Sequence, residues 1–439
     1  GIVTKAPLKI GSIEVVKGDT RKPYVPTKGN TKPEQADVYI VNFANNQGYV
    51  ITSADRRIPS VLAYNSYGHL GDTISNPGQA VLFSYMQAYI EEQRAAFEAN
   101  KEKLATEAEE AIFKQLSKEQ QVTLIKEGYF DENGKRIMSK AGIKGRLCLS
   151  AEIGNTDLEE ENRIVYGEWK TEVVKTPLIK TLWGQSRGYN DKVSMQCGNN
   201  KAPVGCVATA LGQLIAYHKK PAVFKGRTMH WDDITKVDAG AMFSSIDNYS
   251  VGSNPTAVED IQYLLAHLGD SDLLAMNYKC DGSGSSRALE ALHTLGYNSS
   301  LSVSYNNAQA ISEIKNNRPV YIEGCSTEVK HKFLGIHYDT SYEDCHAWIL
   351  DGFVVIKRKK THYYKCSVGN LYVFESEDGY SLVHNNLGWG GSTYGYTNNG
   401  SGWYLTGFFN TKKNSPSNTY KSQDGYDFKY KNSIIINIK

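Results

Sequence analysis

Apolar and polar residues alternate with a period of two near both ends of this chain, and helical periods fill two blocks between them. Ala36-Asp37-Val38-Tyr39-Ile40-Val41-Asn42-Phe43 runs into Asn45-Asn46-Gln47-Gly48, and Tyr49-Val50-Ile51-Thr52 follows. Alternation bounded by turn residues predicts strand, turn, strand. Leu62-Ala63-Tyr64 continues the pattern. From about Pro77 to Leu124 the period changes: Leu82, Met86, Tyr89 and Ile90 recur at helical spacing among Glu, Gln, Lys and Ala, which predicts amphipathic helices. Residues 128–170 lose both periods, with clusters such as Glu132-Asn133-Gly134-Lys135-Arg136 and Glu159-Glu160-Glu161-Asn162-Arg163. That stretch reads as an exposed, cleavable connection or as an ordinary surface excursion.

The second half opens near Pro177. Pro203 through Tyr217 predicts a helix with Val207, Ala210, Leu211, Leu214 and Ile215 on one face, closed by Pro221. After about residue 300 strands dominate: Pro319-Val320-Tyr321-Ile322, Ala347-Trp348-Ile349-Leu350, Tyr372-Val373-Phe374, Gly402-Trp403-Tyr404-Leu405 and Ser433-Ile434-Ile435-Ile436. Lys357-Arg358-Lys359-Lys360 reads as a solvated hairpin tip. No internal repeat is visible. The expected class is α+β, with a helix carrying one reactive group opposite a sheet carrying another.

Composition narrows the function. With 439 residues the chain has room for two or three domains. The 49 basic residues nearly balance 47 acidic ones, for a net charge of +2, so charge gives no case for a nucleic-acid partner. No apolar run approaches the ~18 residues of a membrane-spanning helix. The chain opens Gly1-Ile2-Val3 without a Met, which suggests a trimmed N-terminus whose export or lipid signal is not legible. The seven cysteines (148, 197, 206, 280, 325, 345, 366) contain no CxxC pair. Zinc spacing is therefore absent and a dense disulfide framework is not expected. At least one thiol should be free, and most of the others should be small buried hydrophobes.

One cysteine stands apart. Cys206 follows Gly205 at the start of the predicted helix, where unpaired N–H groups and the positive end of the helix dipole favour thiolate, the nucleophilic form. Most cysteines so placed are packed core residues, so the signal needs partners. His346 opens a strand, where its ring can face a helix as general base. His218 lies 12 residues along the Cys206 helix, about 18 Å of rise away, and cannot reach the thiol. Asn386, before the Gly388-Trp389-Gly390-Gly391 turn, can orient an imidazolium. Gln185, in Trp183-Gly184-Gln185-Ser186, can donate to an oxyanion.

In the order Gln, Cys, His, Asn these residues resemble the papain-like arrangement, and the surrounding residues resemble the streptopain family of bacterial cysteine peptidases. The matching motifs are Gly205-Cys206-Val207-Ala208-Thr209-Ala210 with Gln213 and Tyr217-His218, His346-Ala347 with Asp351-Gly352, and Asn386 with Gly388-Trp389-Gly390-Gly391. Trp183-Gly184-Gln185, Tyr189-Asn190 and the Tyr39–Ile51 hairpin also fit, so the resemblance covers about residues 36–405. It implies a papain-like fold preceded by an α+β propeptide, and a secreted or cell-envelope endopeptidase made as an inactive precursor, without metal or other cofactor. Cys206 would attack the scissile carbonyl, His346 would accept and return the proton, and Gln185 with the Cys206 N–H would hold the oxyanion. Asn386 would stand near His346, and Gly205, Ser283, Gly284, Cys325 and Trp389 would line the substrate site. Residues 1–127 would be the propeptide, covering the cleft and displacing His346; 128–170 would be the processing region and 171–439 the catalytic domain. The partners implied are protein or peptide substrates and the chain's own propeptide.

Three departures bear on the cleft. Leu387 stands where the family has Trp, and stretches 326–344 and 353–383 are longer than compact connections. Two other functions share these residues: an amidase or transpeptidase on cell-wall peptides, and a non-catalytic or permanently inhibited homologue that acts by binding.

Overall fold

The computed structural model describes residues 7–18, 20–24, 36–55, 58–74, 76–114, 116–137, 163–236, 254–325, 332–333, 336–338, 345–365, 371–390, 400–410 and 433–439. The chain begins as an antiparallel meander: β1 (Ile10–Lys17), β2 (Thr20–Pro23), β3 (Val38–Phe43), β4 (Tyr49–Ser53) and β5 (Val61–Asn65). β3 buries every second residue, as its alternation requires. Its turn to β4 places Asn45 and Asn46 at φ 57° and 55°, a conformation asparagine tolerates.

After the short β6 (Thr73–Ile74) comes α1 (Pro77–Phe113), 37 residues long. The Asn76 side chain caps α1 by accepting from the Gln79 N–H at 3.1 Å, and Pro77 occupies the first turn. Ser117 and Gln120 form a reciprocal capping box on α2 (Lys118–Lys126).

The stretch read as an exposed connection or a surface excursion is packed at its first described end and strand-paired, though largely exposed, at the other. Phe130 stacks on Phe113 with ring centroids 4.3 Å apart, and Arg136 pairs with Glu109 at 2.9 Å. Beyond residues 138–162, which lie outside the described residues, β7 (Arg163–Tyr166) and β8 (Lys170–Lys175) add onto a later strand.

The second half carries α3 (Cys206–His218), α4 (Pro255–Leu268) and α5 (Asn307–Lys315). Its strands are β9 (Leu301–Ser304), β10 (Val320–Cys325), β11 (Ile336–Tyr338), β12 (Cys345–Lys365), β13 (Leu371–Asn386), β14 (Gly402–Leu405) and β15 (Ser433–Ile436). α3 begins three residues later than the sequence suggests, because Gly205 takes φ 87° and ψ 154°, which no helix continues.

One 13-stranded antiparallel sheet runs β9-β15-β10-β12-β13-β14-β5-β4-β3-β1-β2, with β7 and β8 on β12. The N-terminal meander thus extends the sheet of the second half, joined by Trp403 opposite Tyr64 and Tyr404 opposite Ala63. β6 pairs in parallel with β11, Thr73 opposite His337, at a second meeting of the two halves.

Alternation along β12 divides the core. Trp348 and Leu350 enter a cluster with Leu82, Phe83, Tyr85 and Met86 of α1, whereas Ala347 and Ile349 enter another with Leu211, Leu214, Ile261 and Leu265. Each cluster buries apolar surface worth roughly 25 cal/mol per Å², so α1 is held by the same sheet that backs α3.

Two expectations are corrected. Lys357-Arg358-Lys359-Lys360 is no tip: β12 carries it mid-strand opposite Gly379, Asp378, Glu377 and Ser376. Arg358 lies over Tyr166 and Trp169 at 4.0 and 4.1 Å and pairs with Asp378 at 2.9 Å. The cysteines expected as small hydrophobes are partly cross-linked: Cys197 bonds Cys280 across 83 residues, and Cys345 is also disulfide-bonded. Cys206 is a free thiol, while Cys148 and Cys366 lie outside the described residues. No described helix is long and apolar enough to cross a membrane.

Candidate active site

Cys206 is the first residue of α3, and Gly205 is its N-cap. A Cβ on Gly205 would stand 2.5 Å from the Ser283 carbonyl oxygen, so this close approach admits only glycine. Thr209 ties the turn together, its hydroxyl donating to the Gly205 carbonyl at 2.9 Å and lying 3.4 Å from that of Gly184. The backbone N–H groups of Ala347, Val207 and Cys206 itself lie near the Cys206 sulfur and favour its thiolate form. Burial pushes the thiol up to about 11; those donors oppose the rise and the Glu323 charge adds to it.

Gln185 is set beside this turn by its backbone carbonyl, which accepts from the Val204 N–H at 2.8 Å. Gly390 N–H donates to the Trp183 carbonyl at 3.0 Å, closing the loop before Gln185 against the one after Asn386.

His346 begins β12 beside Cys345 and is only 3% exposed. Its ring stacks 6.0 Å from Trp348 and stands 6.4 Å from Trp389, centroid to centroid. Nε2–H donates to the Leu387 carbonyl at 2.9 Å, which places the proton of the neutral ring on Nε2 and leaves Nδ1 unprotonated. Gly78, in the first turn of α1, closes the other side: a Cβ there would lie 2.6 Å from His346 Cδ2 and 3.1 Å from a Leu387 methyl. Burial lowers the imidazole to about 4, only partly offset by the Leu387 bond. Thiol and imidazole are therefore both uncharged near neutral pH, and no ion pair joins them.

Asn386 is 2% exposed and is not bonded to His346. Its amide donates to the Thr181 carbonyl at 3.0 Å and lies 3.4 Å from the Gln213 carboxamide; its oxygen accepts from the Gly388 N–H at 3.3 Å. Gln213, fully buried, also accepts from the Thr181 hydroxyl at 2.9 Å and the Trp183 N–H at 3.2 Å. It joins the Gln185 side of the site to the Asn386 side. Sequence reasoning gave Gln213 no role of its own, although a glutamine on the apolar face of α3 was the available signal.

The substrate-site residues fall into two groups. Gly205 and Ser283 touch, and Gly284 exchanges backbone bonds with Asn277 at 3.0 and 3.2 Å, on a loop anchored by the Cys197–Cys280 cross-link. Trp389 faces His346, and the Cys325 backbone lies opposite Cys345; the Cys325 side chain is outside the described residues. Leu387 is fully buried against the start of α1, which gives the departure from Trp a physical setting. Most of 326–344 and the residues 366–370 at the end of the long hairpin lie outside the described residues.

Comparison with known proteins adds independent findings. Residues 183–397 match the family model described as Peptidase C10 family, and residues 10–90 match that of the Spi protease inhibitor. The thiol protease/hemagglutinin PrtT of Porphyromonas gingivalis is 27% identical over 180 residues, 36% of this chain but only 20% of that protein. Streptopain of Streptococcus pyogenes is 22% identical over 395 residues, 82% of this chain and 73% of the relative. Among solved structures, a prointerpain A fragment of Prevotella intermedia is 16% identical with a TM-score of 0.46, covering 93% of this chain and 97% of that one. Active interpain A of the same organism is 20% identical with a TM-score of 0.34, covering 61% of this chain and 95% of that one.

Proposed function

For a chain that carries a Peptidase C10, or streptopain family, domain behind a Spi protease inhibitor domain, we propose an endopeptidase precursor whose nucleophile is Cys206 and whose base is His346. It is a cysteine-type peptidase made as a zymogen, and residues 1–127 act as the intramolecular inhibitor. The observation that carries the reading is His346 itself. It is neutral, bonded to the Leu387 carbonyl and covered by Gly78 of α1, while the thiol lies against the next residue of the same strand.

Removal of α1 uncovers the ring. A released imidazole takes the thiol proton, and the thiolate attacks the scissile carbonyl. Gln185 and the Cys206 N–H hold the oxyanion, and His346 returns the proton to the leaving amine. The thioacyl-enzyme is then hydrolysed by water activated on the same imidazole. Asn386 exchanges its Gln213 and Thr181 contacts for His346 in the released state. Gly205, Ser283, Gly284, Cys325 and Trp389 line the bound peptide, the cut falls within 128–170, and the protein works secreted or at the cell envelope.

Mass spectrometry of the purified chain over time in reductant, beside Cys206→Ala, tests this. The native chain is expected to trim itself to a product beginning between about residues 140 and 175 while the Ala copy stays whole. If neither changes, and an added processing protease releases no peptidase activity, the reading fails and a permanently inhibited binding protein takes its place. Cleavage of cell-wall peptides in preference to casein would reassign the same chemistry to an amidase.

A further inference from the structure

A carboxyl group stands next to the nucleophile and has no part in the chemistry above. Glu323 lies on β10 opposite Ala347 of β12 and Ser433 of β15. Its neighbour Gly324 is opposite His346. The Tyr321 hydroxyl donates to Glu323 Oε2 at 3.3 Å, which puts the two side chains on one face of the strand. That face carries Tyr321, Ala347 and Ile349 and packs on the α3 side of the molecule. Glu323 is half-buried, two residues beyond the fully packed Tyr321. Ala347, opposite Glu323 in the sheet, lies near the Cys206 sulfur, and the Glu323 charge is close enough to that sulfur to disfavour its thiolate form.

The carboxyl is under-compensated. Its donors are two neutral hydroxyls, Ser433 at 2.7 Å and Tyr321 at 3.3 Å, and no lysine, arginine or histidine among the described residues pairs with it. Burial consequently raises it above the usual carboxylate range. A half-buried carboxyl without a cation is costly unless something supplies the charge. At a peptidase cleft the substrate can do so. His346 must face the departing amine to protonate it, so the opposite strand face, with Ala347 and Glu323, flanks the acyl part of the peptide.

We infer that Glu323 is a specificity-determining residue that selects peptides with a lysine or arginine within two residues of the scissile bond on its acyl side. The inference rests on the peptidase reading above. A cationic side chain entering there completes a charge-assisted hydrogen bond with Glu323 and leaves the Ser433 and Tyr321 donors in place.

The test uses the processed protein and paired fluorogenic peptides with lysine or its uncharged isostere norleucine at each of the two acyl-side positions. Active sites are counted by a thiol-directed peptide epoxide, so misfolded protein does not enter the rates. The wild type should cleave the lysine peptide about tenfold better at one position, mostly through KM, and Glu323→Gln should bring the ratio near one. A wild-type ratio at or below one at both positions, or a ratio unchanged in Glu323→Gln, overturns the inference and leaves the peptidase reading standing. Processed protein that cleaves neither member of any pair, though the epoxide labels it, overturns both.

Discussion

Cys206 and Ala347 on one side of β12, and His346 and Trp348 on the other, are held by different parts of the chain. Among the described residues, the thiol is set by elements of the second half: Gly205 against Ser283, Thr209 on the Gly205 carbonyl, and the Ala347 backbone nearby. The imidazole depends on the first half, because Gly78 of α1 forms one wall of its pocket. On the proposed function, the nucleophile is thus assembled in the precursor and the base is stored. Latency in that reading does not need a blocked thiol; it needs a histidine kept dry, neutral and turned to a carbonyl.

The sharpest test of that division is His346→Ala in the processed chain. Peptide hydrolysis should fall about 10²–10⁴-fold, while thermal stability of the helical half changes little. Next in size is Gly205→Ala, on the thiol side. Its Cβ meets the Ser283 carbonyl at a φ of 87°, so precursor and processed chain should both lose about 3 kcal/mol in urea unfolding.

Acid should distinguish the two sides. Unfolded, His346 takes a proton near 6.5; in the precursor it does so only near 4. The unfolded chain binds that proton more tightly in between, so precursor stability falls as pH drops from 6.5 toward 4, by at most about 3 kcal/mol. His218, also lowered to about 4 by burial, adds the same sign. His218 lies at the end of α3 and is present in both chains, so the difference in slope between precursor and processed chain carries His346 together with the first half's own carboxylates such as Glu110. An equal slope in both would break the comparison.

Gly78→Leu should act on the histidine side alone. It overpacks the ring pocket and should speed epoxide labelling of Cys206 in the uncut chain about tenfold, leaving the processed enzyme unaltered. The smallest effect belongs to Arg358→Ala, which removes the stacking on Tyr166 and Trp169. About 1 kcal/mol of stability should be lost without change in labelling rate.

Much of this was legible along the chain because local patterns and local structure agree. The apolar face of α3, the β3–β4 turn and the strand after His346 each carry their own signal. What stayed hidden depends on distant partners. Nothing in Asn76-Pro77-Gly78 announces that its glycine will meet a histidine 268 residues later in the chain (346 − 78). Lys357–Lys360 looked like a tip because charge runs favour solvent, yet acids on β13 and β8 and the aromatic pair on Arg358 hold it in mid-strand. Cys197 and Cys280 lacked telling spacing, since 83 residues separate them. Asn386 could be picked out as a candidate, but not its Gln213 and Thr181 contacts in this state, because one amide has several satisfactory sets of partners.

The seam between β14 and β5 has one more consequence. While the first half is attached, Trp403 and Tyr404 are interior positions of a continuous sheet. Were it to depart, as the proposed processing requires, Gly402–Leu405 would become a border whose amides and carbonyls point outward beside a bare aromatic surface. Such a border recruits any extended chain that fits. On the proposed function, maturation would therefore trade one hazard for another: the enzyme would gain its base and acquire a sticky rim, through which freshly cut molecules could pair with each other or with the fragment they had just shed.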